Sequence, residues 1–410
     1  MATKNLTNET RYDHIDALRA IAALIVVWWH TEGVMFPGVF SIVGFATNRF
    51  LDPGRVGVVL FFAISGFVIP STLNGSRVEG ARRFLIRRIC RLYPAYWFSI
   101  PIGWLSAVWL DGQQVDVSTV LANVTMTQKF YGYPDIIGVY WTLAIELAFY
   151  GICLFLFLTR VAKYQISYLL VSLFGLLLMR WYTVADEYTY LIDRGYGVKS
   201  RVLYDFYRLI VGAPLNPWGS MLFVSFFSIS IMGLGAVLRF LHDGIATNIT
   251  KMSAFLIISY LIIYYAIIPI YGVVAATMPL TDARTYLSHG VPIVMFLLFL
   301  FIFRIRSKIM GYIGVVSYSI YLLHGPIIHL LSHVLRGCAE RPGCSAPVGV
   351  YVFLVFFISI GVAALVYAYV EKPSIDRGRR MTARSSCPNA PGLAPTFVSP
   401  GAASKFISAK

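Results

Sequence analysis

The stretch IDALRAIAALIVVWWHTEGVM, Ile15 to Met35, is long enough to cross a bilayer as one helix, yet it carries Asp16, Arg19 and His30. Arg19 and His30 are eleven residues apart. That is about three turns, so the two side chains lie within about 20° of each other on one helix face. His30 sits roughly 16 Å beyond Arg19 along the axis. Asp16 falls near the same face and can pair with Arg19. Two readings of that pair stay open, an ion pair snorkelling at the membrane surface and a functional pair. For His30 the alternatives are a buried histidine satisfied by a neighbour and a reactive group. An ionisable side chain at that depth is a functional candidate by default.

Outward from this helix, the composition sets the medium. The chain of 410 residues is 58% hydrophobic and 13% charged, against about 25% charged in soluble domains. Apolar stretches of spanning length recur at about 15–35, 56–73, 94–110, 139–159, 166–185, 218–240, 252–276, 288–303, 310–334 and 348–370. The sequence therefore predicts an all-α polytopic membrane protein of about ten transmembrane helices. With the N-terminus cytoplasmic, these spans put 23 of the 34 Lys and Arg on the inner side and leave the outer side neutral overall. Both termini are then cytoplasmic. The basic excess reads as orientation and contact with membrane lipids, not as nucleic-acid binding. A membrane-embedded domain is expected over 1–373, with a cytoplasmic, disordered tail over 374–410.

The densest basic segment is ARRFLIRRICRLYPAYW, Ala81 to Trp97. At 100° per residue Leu85, Ile86, Ile89, Leu92 and Tyr93 share one arc, while Arg83, Arg87, Arg88 and Arg91 fan across the other. The pattern predicts a helix lying in the inner interface and stopped by Pro94 as the third span begins. It serves either as an orientation anchor on lipid phosphates or as a dock for a polyanion, since guanidinium forks hold phosphates well.

Two more buried polar groups stand out. VYWTLAIELAFY puts Glu146 about two turns into the fourth span, and SYSIYLLHGPI puts His324 about four turns up the ninth. At a 1.5 Å rise His30, Glu146 and His324 all come out roughly 8–10 Å below the outer boundary. A lone Glu in lipid is costly, so Glu146 is expected to face a protein partner or a water-filled cavity. FFAISGFVI adds Ser65 and Gly66 near mid-membrane, the glycine reading best as close helix packing.

The runs DALRAIAALIVVWWH, FFAISGFVI, RRICRLYPAYW, WTLAIELAFY and SYSIYLLHGPI, in that order from about Arg11 to Pro373, resemble the acyltransferase 3 family of integral-membrane acyltransferases. The resemblance matches the family's Arg-x10-His motif to Arg19 and His30, its Arg-x-x-Arg motif to Arg88 and Arg91, and its buried acid to Glu146. It implies transfer of an acyl group, often acetyl, from cytoplasmic acyl-CoA to a hydroxyl of a cell-surface or lipid-linked carbohydrate, in the bacterial inner membrane. Arg19, Arg88 and Arg91 would bind acyl-CoA (acetyl-CoA) as donor substrate. His30 would act as general base or as a nucleophile, Glu146 would orient it or bind the acceptor, and Asp16, Ser65 and His324 would support them. No metal is called for. The reading from another class is a transporter of a lipid-linked sugar or anion, which lacks here the paired broken helices of two matching halves. The outer connection 181–217, aromatic and mixed in charge, is the candidate acceptor-binding element. Cys338 and Cys344, in LRGCAERPGCSAP, are expected to form a disulfide in an outer loop.

Overall fold

The computed structural model of the chain describes residues 13–35, 50–193, 217–275, 280–339 and 348–384. Among these residues every regular element is a helix. Helix α1 is Asp13–Met35, α2 Pro53–Val68, α3 Arg77–Leu105, α4 Val117–Val124, α5 Trp141–Leu158, α6 Gln165–Asp193 and α7 Pro217–His242. Next come α8, Asn248–Ile262 with its continuation to Val274, α9, Leu280–Phe301, and α10, Lys308–Ala339. Helix α11, Val348–Val366, passes through a wide turn at Tyr367–Glu371 into α12, Lys372–Arg384.

Eight of the described helices are long and apolar enough to cross a membrane, and the apolar stretch Gln165–Met179 is a shorter ninth. Each of the ten segments expected from the sequence falls on a helix. The third, 94–110, is the second half of α3 and the turn after it, whose arginine-rich first half dilutes its apolar character. Large apolar side chains such as Leu85, Phe255, Phe353 and Phe357 stand exposed on the bundle's outside, as contact with lipid tails requires. The chain is a multi-pass helical membrane protein.

Helix α1 is the hub and packs on α10, α2, α11 and α9. Its small residues make that possible: Ala17, Ala20, Ala22 and Ala23 are wholly buried. Small side chains let helix backbones approach where no hydrophobic force separates helix from lipid. The tightest crossing is at Gly314 of α10, where a Cβ would stand 1.9 Å from the Asp16 carbonyl oxygen. Gly66 on α2 likewise faces the Met232 carbonyl of α7, where a Cβ would lie 2.0 Å away, so its role is packing.

Pro94 does not stop a helix. Helix α3 runs unbroken from Arg77 through Pro94 and Pro101 to Leu105. An internal proline is tolerated in a packed membrane helix, and close to this one Tyr318 of α10 ties α3 into the bundle by donating its OH to the Leu92 carbonyl at 2.9 Å. The segment thus enters the bundle as one rod. The boundary drawn at Pro373 is also crossed: α12 continues to Arg384 and packs along α3. Residues 385–410 lie outside the described part.

Candidate active site

The end of the bundle carrying α12 and the first turns of α1 and α3 is the basic end. From there α1 and α10 rise to the far end, while α2 and α5 descend. A cavity of about 830 Å³ opens between them, lined by Arg19, Ser65, Arg88, Arg91, Glu146 and Tyr150 among others. Five of the residues singled out in the sequence therefore meet around one space, contributed by four helices far apart in the chain.

The helical period of α3 decides which arginines take part. Phe84 and Leu92 are buried and Leu85 and Ile89 exposed, so the inner side of α3 carries Arg88 and Arg91. Arg88 donates to Thr72 Oγ1 at 2.9 Å and lies over the Tyr150 ring, 5.2 Å from its centroid. Arg83 and Arg87 turn elsewhere, to Asn74 Oδ1 at 3.2 Å and Thr382 Oγ1 at 3.1 Å. Arg88 and Arg91 thus face the cavity.

Glu146 accepts two hydrogen bonds on Oε1, from Tyr150 OH at 2.7 Å and Ser65 Oγ at 3.2 Å. Tyr150 is one turn along α5 from Glu146, and this i, i+4 pair was legible in ELAFY although the sequence reading passed over it. Glu146 does not orient His30. Its hydroxyl donors and the arginines turn it into the cavity.

His30 has another partner. His324 Nε2 lies 3.3 Å from His30 Nδ1, and the ring centroids are 4.9 Å apart. His324 Nδ1 lies 2.8 Å from the Tyr321 carbonyl, and His30 Nδ1 lies 2.9 Å from the Val26 carbonyl. A carbonyl can only accept, so both Nδ1 atoms carry the proton. His324 Nε2 then offers a lone pair to His30 Nδ1–H, and His30 Nε2 keeps its own lone pair. The backbone carbonyls thus set the tautomer of both rings.

The histidines stand just beyond the cavity's far end. Tyr321 lines the cavity, its OH is 3.0 Å from Thr142 Oγ1, and its ring centroid is 5.9 Å from that of His324. Phe61, also lining the cavity, packs on Tyr321 edge to face at 5.6 Å. Glu146, one turn from Thr142, is thus about 6 Å nearer the basic end and not in the histidine layer.

Asp16 sits one turn before Arg19 and interacts with it electrostatically. Sequence reasoning missed Glu371, the acid in VYAYVEKPS. It is wholly buried, accepts from Ser319 Oγ at 2.9 Å, and interacts with Arg91 and Arg19. It lies one residue past the last span expected from the sequence, 348–370. Cys344 lies outside the described residues, as does the side chain of Cys338, and so does most of the 181–217 connection. Among the described residues no cluster of metal-ligating side chains occurs.

Among the described residues, the site is a cation-lined cavity inside a helical bundle, with a histidine pair standing behind Tyr321 at its far end. The chain belongs to the acyltransferase 3 family, whose acyltransferase-domain model matches residues 12–368. It is similar to the ORF330 product of Acidianus two-tailed virus, which carries an acetyltransferase name, at 23% identity over 78% of this chain and 85% of that one. It also resembles Nodulation protein 10 of Rhizobium leguminosarum bv. viciae, at 28% identity over 37% of this chain and 45% of that protein. A third relative is the peptidoglycan O-acetyltransferase OatA of Listeria monocytogenes, at 29% identity over 43% of this chain and 30% of that protein. The chain thus spans less than half the length of the last two. No solved structure matches it.

Proposed function

We propose that the protein transfers an acyl group, acetyl in the simplest case, from acyl-CoA entering at the basic end to a hydroxyl of a carbohydrate at the far end. The observation that carries this reading is the convergence of Arg19, Arg88, Arg91 and Glu146 on one cavity whose far end abuts the His30–His324 pair. On this reading the basic end faces the cytoplasm of a bacterial inner membrane, an orientation that the excess of Lys and Arg at that end supports.

The donor's phosphates bind the three guanidinium groups, which are held in place by Thr72, Tyr150 and the buried Glu371. Its pantetheine arm runs past Glu146, whose Oε2 accepts from an amide N–H of the arm. The thioester then lies beside Tyr321 and His30. The acceptor oxygen attacks the thioester carbonyl as its proton passes to His30 Nε2. The C–S bond breaks, and the proton on Nε2 goes to the departing sulfur. As His30 becomes cationic, its Nδ1–H bond to the neutral His324 Nε2 strengthens. Enclosure between helices keeps water from the thioester.

The test supplies labelled acetyl-CoA to membranes with and without the protein and follows label into envelope carbohydrate, with mass analysis of the surface glycans of matched cells. Acetyl esters that depend on the protein support the reading, and unchanged glycans with no labelled ester contradict it. Acid quench without acceptor separates the two roles of His30, since a general base leaves no label on the protein and a nucleophile leaves an acyl-imidazole.

A further inference from the structure

A second pocket, of about 370 Å³, lies at the far end and is lined by Asp52, Arg55, Arg284 and Thr285. Three helices are tied together around it. The Asp52 side chain caps α2, accepting the Arg55 N–H at 3.0 Å, and the Asp52 N–H donates to Ser288 Oγ of α9 at 2.7 Å. Arg284 of α9 donates Nε–H to the Leu51 carbonyl at 3.3 Å, and its guanidinium lies 5.6 Å above the Trp29 ring of α1. Trp29 presses on α2 at Gly54, where a Cβ would come 2.2 Å from the indole. Only glycine admits the ring there.

Two guanidinium groups thus share a pocket with one carboxylate, and that carboxylate is occupied with its own helix N-terminus. Among the described residues neither arginine forms an ion pair with an acid. Among the described residues the pocket thus carries more positive than negative charge. Arginine forks match carboxylates and phosphates. The pocket also lies close to His30 in the chain, since Trp29, whose ring the Arg284 guanidinium covers, is the residue before it in α1.

We propose that Arg55 and Arg284 bind an anionic group, a carboxylate or phosphate, on the acceptor sugar, with Asp52 accepting one of its hydroxyls, so that a neighbouring hydroxyl meets His30 Nε2. The proposal rests on the acyl-transfer reading and names its acceptor as an acidic carbohydrate.

The experiment measures binding alone. Purified protein in phosphatidylcholine nanodiscs is titrated with trigalacturonate, with uncharged maltotriose and with inorganic phosphate, by calorimetry. Trigalacturonate should bind at least tenfold more tightly than maltotriose, and phosphate should compete with it. Arg55→Gln and Arg284→Gln should each weaken trigalacturonate by about 10-fold or more, the loss of one charge-assisted bond. Among the described residues the Arg55 side chain makes no hydrogen bond that Arg55→Gln would disturb, so this variant decides the matter even if Arg284→Gln unfolds. Equal binding of the two trisaccharides, no binding of trigalacturonate, or no effect of Arg55→Gln overturns the proposal. Displacement of trigalacturonate by phosphatidylglycerol built into the discs would reassign the site to a lipid headgroup. Release of CoA thiol from acetyl-CoA with envelope carbohydrate as acceptor, followed in the same preparation, reports separately on the acyl-transfer reading, so a dead transfer reaction with intact sugar binding fails that reading and not the subsite.

Discussion

Replacing His324 by phenylalanine keeps a planar ring between Tyr321 and His30 but removes the nitrogen that accepts from His30 Nδ1. In the resting state that contact, at 3.3 Å, competes with the nearer Val26 carbonyl at 2.9 Å, so its loss changes little before reaction. The difference arises when His30 takes the acceptor's proton. A hydrogen bond to a charged group contributes about 1.5–3 kcal/mol, so kcat should fall by about 10- to 150-fold. The donor KM should stay within about twofold, because the substitution is remote from the arginines and touches only the step in which charge develops. His324→Gln, whose amide oxygen can accept the same proton, should recover part of the loss. The assay is the initial rate of CoA thiol release with envelope carbohydrate as acceptor, alongside thermal melting in detergent to show that both variants fold. A folded His324→Phe enzyme retaining more than half of kcat would refute the pairing. Equal defects in the phenylalanine and glutamine variants would reduce His324 to a packing residue.

Arg88→Gln and Arg91→Gln should each weaken acetyl-CoA binding by about 10-fold or more, leave acceptor binding unchanged, and blunt the salt dependence of donor binding; equal losses for both substrates would return them to an anchoring role. Glu146→Gln retains an acceptor for Ser65 and Tyr150 but removes the charge, and transfer should fall by about 100-fold with melting unchanged, whereas an active variant would make Glu146 a neutral hydrogen-bonding group. Gly314→Ala should lower stability by about 1–3 kcal/mol, because its Cβ would collide with the Asp16 backbone; an unchanged melting temperature would show that α1 and α10 can part at no cost.

The sequence made legible whatever depends on one helix at a time. The face shared by Arg19 and His30 and the placement of Glu146 within a span follow from helical period and span depth, whereas Arg88 and Arg91 were singled out from their neighbours by the family resemblance alone. Depth also set His30 and His324 in one layer, where they meet. It set Glu146 there too, and that failed, because an axial coordinate estimated from span ends carries an error of a turn and says nothing of which way a side chain turns. Tyr150 and Ser65 hold Glu146 on the cavity side, leaving His324 as the partner of His30. Pro94 misled for a related reason: it breaks helices in water, but α3 runs straight through it inside the packed bundle. Glu371 was hidden by a span boundary drawn one residue short. The outer pocket of Asp52, Arg55 and Arg284 was not legible, since residues more than 200 positions apart form it through packing alone.

The most direct test of donor docking by the arginines and proton abstraction by His30 is His30→Ala, assayed for acetyl-CoA affinity and for transfer in the same preparation. Donor affinity should match the wild type, since Arg19, Arg88, Arg91 and Glu146 are untouched, while transfer falls by about 100-fold or more, the usual contribution of a general base. A folded His30→Ala protein that binds acetyl-CoA normally and keeps more than about a tenth of the wild-type transfer rate would contradict the assignment of His30 as the base.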